Sequence, residues 1–208
     1  MGPNIHSPTF FQKAKCLLPG ELFLISDYLG PLEASRLYFK CHEEISWEQT
    51  RISLYGKSHL VPRLVSWIGE KGLKYSYSGQ DFEARGWPPG LNSLKGRLES
   101  DLKGSFNSVL ANYYREGRDN MGWHSDNEPE LGPRPLIASL SLGATRRFLI
   151  RPKRKARGAE SIKIDLDHGS LLVMMGGFQQ NWQHRVSPTR KDVGGRVNLT
   201  FRFTFKKL

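Results

Sequence analysis

Ten residues near the carboxyl end, Arg196-Val-Asn-Leu-Thr-Phe-Arg-Phe-Thr-Phe205, alternate strictly between polar and apolar. A period of two is the mark of a β-strand, because successive side chains leave opposite faces of the pleat. One face carries Val197, Leu199, Phe201, Phe203 and Phe205 and is expected to face a core. The other carries Arg196, Asn198, Thr200 and Arg202. An ordinary strand turns such a face to water, whereas two arginines on it suit a cavity that holds an anion. Further short strands are predicted near 106–114, 136–142, 146–151, 161–166 and 170–175. Six strands in about a hundred residues, with turns between them, predict a double-sheet barrel or jelly roll. The 21 glycines and 12 prolines are spread along the chain, which suits a loop-rich sheet protein better than a helical bundle.

Upstream of residue 100 the pattern is mixed, so the class is mainly β with an α+β character. Residues 1–20 read as a loose leader and 22–29 as a strand. Pro31 opens a predicted helix to about Glu44. Leu91, Leu94, Leu98 and Leu102 recur at helical spacing between Pro88-Pro89 and Gly104, which is expected to close that helix. Aromatic runs broken by glycine between 50 and 80 read as hairpins. The expected division is an extension over 1–100 and the jelly-roll core over 101–208.

The net charge is +11, from 31 basic and 20 acidic residues, and a chain this basic suits a polyanionic partner such as nucleic acid. Seven of the charges are Arg146, Arg147, Arg151, Lys153, Arg154, Lys155 and Arg157. A solvated loop or a nuclear localisation signal gives the same tract. A phosphate-binding flank is the reading favoured here. No apolar run approaches the roughly 18 residues that span a bilayer, and the amino terminus has no signal-peptide pattern. Two cysteines, Cys16 and Cys41, are too few for a thiolate cage. The expectation is a reduced intracellular monomer with no membrane partner, cytoplasmic or, in a eukaryotic cell, nuclear.

His-x-acid occurs twice, where composition alone predicts about 0.6 matches. His42-x-Glu44 falls on the first helix, where positions two apart diverge by about 200° and cannot share a metal. His124-x-Asp126 lies beyond a strand, in an extended setting that lets both side chains reach one ion. His184, after the Gly176-Gly177 turn, is the third candidate ligand. Two imidazoles and a carboxylate suit Fe(II) in an oxygenase, and zinc competes for the same donors. With Arg196 and Arg202 set to grip a short dicarboxylate, the combination points to Fe(II), 2-oxoglutarate and O2.

Five motifs in order carry a resemblance. They are Asn112-x-Tyr114-x-x-Gly117, His124-x-Asp126-x-Glu128, His168-Gly-Ser-Leu-Leu, His184, and Arg196-Val-Asn-Leu-Thr-Phe-Arg202. Over roughly residues 50–205 the chain resembles the AlkB family of Fe(II)/2-oxoglutarate-dependent nucleic-acid demethylases. The resemblance implies a double-stranded β-helix (jelly-roll) core with a nucleotide-recognition lid. It implies His124, Asp126 and His184 on Fe(II), and Asn112, Tyr114, Arg196, Thr200 and Arg202 on 2-oxoglutarate. It further implies direct reversal of 1-methyladenine or 3-methylcytosine lesions in DNA, with RNA as a second substrate.

On the substrate side, Tyr77 aligns with a ring that stacks on a flipped base, with Tyr75 beside it. Tyr55 and Lys57 sit at a hairpin tip that would enter the gap. Asn127 and Glu128 adjoin the metal pair, and Asn127 stands where some relatives have aspartate. Arg151, Lys153, Arg154 and Lys155 would hold the strand's phosphates. A regulatory RNA or protein demethylase of the same oxygenase class, or a catalytically silent nucleic-acid-binding module, are the alternatives.

Overall fold

The computed structural model describes residues 12–54, 57–77, 80–154 and 161–206. Two strands, β1 (Lys15–Leu18) and β2 (Leu22–Ile25), precede helix α1 (Pro31–Glu44). The hairpins β3 (Arg51–Leu54) with β4 (Lys57–Leu60), and β6 (Lys74–Tyr77) with β7 (Gln80–Glu83), flank β5 (Leu64–Gly69). After α2 (Pro89–Leu102) come β8 (Ser108–Tyr114), β9 (Met121–His124), β10 (Ile137–Gly143), β11 (Arg146–Pro152), β12 (Ile162–Leu166) and β13 (Leu171–Met174). The one-turn α3 (Phe178–Asn181) leads into β14 (Trp182–Val186) and β15 (Arg196–Arg202).

Among the described residues, seven strands form one sheet in the order β1-β2-β13-β10-β15-β8-β5, and four form a second, β12-β11-β14-β9. From β8 onward the chain passes repeatedly between the two antiparallel sheets, the jelly-roll arrangement that the strand spacing predicts. Residues before 100 contribute β1, β2 and β5 to the larger sheet, so that sheet is built from both parts of the chain.

The molecule has three layers. Helices α1 and α2 cover the outer face of the seven-stranded sheet. There Ala34, Cys41, Leu91, Leu94, Leu98 and Leu102 pack with Val109, Ala111, Leu140, Val197, Leu199 and Phe201. Between the sheets a second cluster joins Leu22, Ile137, Leu172 and Met174 to Phe148, Ile150, Ile164 and Val186. Every residue of β15 is buried, because one face meets the helix layer and the other the space between the sheets.

Three expectations need correction. The alternation in the last strand places Phe203 and Phe205 in the core, yet they are 39% and 55% exposed and pack edge-to-face on each other. The cause is local. β8 begins only at Ser108, opposite Arg202, and beyond it the Asn107 side chain captures the chain instead, accepting from the Thr204 N–H at 2.7 Å and donating to its carbonyl at 2.9 Å. Thr204, with its hydroxyl on Ser108, becomes the buried residue. The second helix closes through Lys103 in the left-handed conformation (φ +52°), so Gly104 is not its cap. The strand expected over 22–29 is confined to Leu22–Ile25.

Candidate metal centre and anion pocket

β9 and β14 are neighbours in the smaller sheet, and their register sets His124 directly opposite His184. The imidazole centroids lie 4.2 Å apart. Asp126 follows two residues past the end of β9. Its backbone N–H donates to Gln179 Oε1 at 2.9 Å, and the neighbouring Ser125 hydroxyl donates to the Trp182 carbonyl at 2.7 Å. The short helix before β14 therefore fastens the loop that carries the carboxylate. One ligand atom from each of His124, Asp126 and His184 lies within 4.8 Å of the others.

The protonation of this cluster suits a cation. His184 is buried against Phe148 and Phe178, and burial, followed by the neighbouring His124, pushes its pKa down to about 3. Burial lowers that of His124 as well. Its Nδ1 lies 2.9 Å from the Gly122 carbonyl, and the Nδ1–H tautomer that donates there frees Nε2 as an electron-pair donor. Burial pushes the Asp126 carboxyl up, but Arg202 and the two histidines outweigh it and hold the group below its ordinary value. Two neutral imidazoles and one carboxylate are the donor set of a divalent transition metal.

The inward face of β15 meets the same space. Asn112, Tyr114, Arg196, Thr200 and Arg202 line one cavity together with the three metal candidates. Arg196 is 1% exposed and donates through Nη2 to Ser141 Oγ at 2.9 Å, while its Nε and Nη1 are buried with no hydrogen-bond partner. Its guanidinium lies over the Tyr114 ring, 5.2 Å from the centroid, and burial lowers its pKa to about 10. A buried guanidinium with two unsatisfied nitrogens fits an anionic carboxylate group. Thr200 donates to Asn198, and Asn198 to Ser139 and the Leu140 carbonyl, which fixes the polar floor.

Two features were not legible. Arg202 donates from Nη2 to Asp126 Oδ2 at 2.9 Å, a buried ion pair between the anion pocket and the metal candidates. Arg63, 5% exposed in the loop before β5, donates from Nε to Asn112 Oδ1 at 2.7 Å. That bond spends the amide oxygen and leaves the Asn112 NH₂ as the group that can meet an anion. No motif marks Arg63, and its role appears only when β5 pairs with β8.

The remaining candidates separate. Asn127 is exposed and Glu128 half-buried at the start of the turn Pro129–Leu131. Lys57 is on β4, and Tyr75 and Tyr77 are on β6. Tyr55 and Lys155 lie outside the described residues, as does Arg157. The basic tract is not one surface. Arg146 is 2% exposed and donates to the carbonyls of Glu116, Gly117, Asp119 and Ser187, so it is a structural cross-link. Arg147 is paired with Asp165. Arg151 stacks on Trp123, Lys153 donates to the Gln179 carbonyl, and Arg154 is exposed. His168 accepts from the Gly143 N–H and meets Ser35, tying β10 to α1 away from the cavity.

The sequence profile of the 2OG-Fe(II) oxygenase superfamily matches residues 21–202. The chain belongs to that superfamily. Mouse alpha-ketoglutarate-dependent dioxygenase alkB homolog 3 is 40% identical over 206 residues, covering 96% of this chain and 68% of that protein. Mouse DNA oxidative demethylase ALKBH2 is 35% identical over 181 residues, covering 83% of this chain and 76% of that protein. These relatives set this 2OG-Fe(II) oxygenase in the AlkB family. In fold it is similar to OsALKBH1, with a TM-score of 0.62 at 19% identity over 91% of this chain and 99% of that one. An oxidoreductase of the 2OG-Fe(II) oxygenase family from Burkholderia pseudomallei gives 0.63 at 13% identity, covering 97% of this chain and 92% of that one. Membership makes this chain a dioxygenase that uses Fe(II), 2-oxoglutarate and O2. Among the described residues no helix is long and apolar enough to cross a membrane.

Proposed function

We propose that the protein removes alkyl groups oxidatively from nucleobases, with 1-methyladenine and 3-methylcytosine in DNA as substrates and RNA as a further one. One observation carries the reading: a single cavity joins the His124, Asp126 and His184 donors to the partly unsatisfied Arg196. Relatives named as a DNA oxidative demethylase and as an alkB homolog give the substrate class.

In this assignment His124, Asp126 and His184 hold Fe(II). Arg196 and Tyr114 receive one carboxylate of 2-oxoglutarate. Asn112, Thr200 and Arg202 complete the pocket. When bound, Fe(II) supplies, with 2-oxoglutarate and O2, the oxidising power to hydroxylate an N-methyl group; succinate, CO2, formaldehyde and the repaired base leave. The chain's own part is positioning. Arg202 keeps Asp126 ionised through Oδ2 and leaves Oδ1 on the side of His124 Nε2, 3.8 Å away. Phe148 and Phe178 fix the His184 ring and keep water from it.

Of residues 1–100, the hairpins β3–β4 and β6–β7 supply the lid, while β1, β2 and β5 join the strands of 101–208 in the oxygenase core. Tyr77 and Tyr75 stack on and bond the flipped base, Tyr55 and Lys57 fill the gap it leaves, and Asn127 and Glu128 contact its edge. Arg151, Lys153, Arg154 and Lys155 hold the phosphates. The enzyme works as a monomer, in the cytoplasm or, in a eukaryotic cell, the nucleus.

The test is formaldehyde release from single-stranded and duplex oligonucleotides carrying either lesion, with Fe(II), 2-oxoglutarate and ascorbate. His124→Ala and Arg202→Ala are the controls, and methylated RNA and peptide form parallel arms. Release from DNA that both substitutions abolish is the expected result. Release confined to RNA or peptide would move the enzyme to a regulatory role. Binding of DNA with no 2-oxoglutarate consumed would reduce it to a binding module.

A further inference from the structure

The register that points His124 and His184 into the cavity points their neighbours out of it. His184 pairs with His124 on one side and Ile150 on the other, so Trp123, Arg185 and Arg151 share the outer face of the smaller sheet. There two guanidinium groups converge on one indole. Arg151 lies 4.2 Å from the Trp123 ring centroid and Arg185 4.7 Å. Among the described residues neither has an ion-pair partner; Arg151 donates to the neutral Gln183 amide at 2.9 and 3.1 Å, and Arg185 Nε is buried with no hydrogen bond. On the same face Arg147 is neutralised by Asp165, so the two arginines at Trp123 stand out as a like-charged pair that no carboxylate among the described residues offsets.

Holding two cations against one ring costs repulsion that an anion between them would relieve. The place matters too. Trp123 immediately precedes the candidate ligand His124. The adjacent Lys153 donates to the Gln179 carbonyl at 2.8 Å, while the Gln179 side chain accepts from the Asp126 N–H. Trp123 and Arg185 thus sit on the outer face of the sheet, each one residue from a metal candidate.

We infer that Trp123, Arg151 and Arg185 form a seat for one phosphodiester of the substrate strand, with the indole as the rigid surface that sets both guanidinium forks. This rests on the proposed action on nucleic acid. It adds two residues, Trp123 and Arg185, that the basic tract does not contain. Planar forks match the two free oxygens of a phosphodiester bidentately. The seat holds the backbone and reads no sequence.

The experiment uses the full chain loaded with Mn(II) and 2-oxoglutarate and a labelled single strand with one 1-methyladenine, read by fluorescence anisotropy against salt. In parallel, each phosphodiester flanking the lesion is replaced in turn by a neutral methylphosphonate. In the wild type one linkage should matter most. In Arg151→Gln/Arg185→Gln the affinity should fall about tenfold, the log–log salt slope should flatten by roughly 0.7 or more, and that linkage should lose its penalty. An unchanged slope, or a methylphosphonate penalty as large as in the wild type, overturns the seat. Arg151→Lys/Arg185→Lys, which keeps the charge but not the fork, should show an intermediate loss with the same linkage affected, and decides the matter if the glutamine variant melts. Formaldehyde release by the wild type from the same strand separates the outcomes: release with an unchanged slope removes the seat alone, whereas a wild type that binds no strand removes the proposed function with it.

Discussion

Along β14, His184 points into the space between the sheets and Arg185, its neighbour, points out; along β11, Ile150 and Arg151 do the same. The space between the sheets and the outer face of this four-stranded sheet treat charge in opposite ways. Inside, Arg202 and Asp126 neutralise each other and Arg196 is held by Ser141 beneath the cavity. Outside, Arg151 and Arg185 gather on an indole with no acid among the described residues between them. A buried charge must be paired within the protein or by a ligand, because desolvation costs several kcal/mol. Arg151 and Arg185 are only half-buried, and a charge that still reaches water needs no partner within the fold. The same residue type is therefore committed to the fold between the sheets and left available on the outer face.

That contrast breaks most sharply at Arg202. Arg202→Met leaves the buried Asp126 without its cation, and the metal-free protein should lose about 3–5 kcal/mol in urea unfolding at pH 7. A loss below about 1 kcal/mol would mean that the ion pair is as weak as an exposed one.

The histidines give the next effect. His184 sits near 3 in the fold against about 6.5 unfolded, so between those values the unfolded chain binds the extra proton. The stability that this depressed value contributes is full above about pH 6.5 and is lost as pH falls toward 3; His124 acts in the same direction. Metal-free wild type should show a steeper fall in urea midpoint across that window than His184→Phe. Equal slopes would remove His184 as the source.

Arg196 predicts the opposite sign to Arg202. It lacks a buried anionic partner, so Arg196→Met should leave the metal-free protein unchanged or up to about 4 kcal/mol more stable while abolishing 2-oxoglutarate binding by calorimetry. A destabilised variant would show that Arg196 belongs to the fold and not to the cosubstrate.

What the sequence discloses follows the same division between faces. β15 alternates because different layers cover its two sides, so Val197, Leu199 and Phe201 and the polar set between them are both forced. Leu91, Leu94, Leu98 and Leu102 read as a helix face for the same reason. β9 and β14 stay hidden as strands although they carry two of the three metal candidates. β9 has four residues, one a glycine, and β14 sets a histidine on its inner face and a cation on its outer one, so neither shows an apolar period. The constellation was nonetheless readable, since donor chemistry and motif order do not require the strands to be recognised. Phe203 and Phe205 mislead because the alternation outruns the partner strand. Arg63 and the Arg202–Asp126 pair depend on contacts between distant segments and leave no local pattern.

Arg63 gives a smaller and more selective effect. Without it the Asn112 amide is free to turn its oxygen toward the pocket, where it would repel a carboxylate. Arg63→Ala should raise both the dissociation constant and the KM for 2-oxoglutarate about tenfold, equivalent to about 1.4 kcal/mol, with a smaller change in kcat. A fall in kcat at unchanged KM would count against an orienting role.

The smallest effect belongs to the outer face, and its sign is informative. Arg185→Gln removes one of two like charges beside Trp123 and one cation–π contact of about 0.5–1 kcal/mol. In the metal-free protein these two changes oppose each other, and salt screens the repulsion. At low ionic strength the variant should melt within about 0.5 kcal/mol of the wild type, whereas at high salt the wild type should gain relative to it as only the contact remains. A salt-independent loss of several kcal/mol would mean that Arg185 is committed to the fold like Arg202, and the distinction between the two faces would fail where it is most exposed to test.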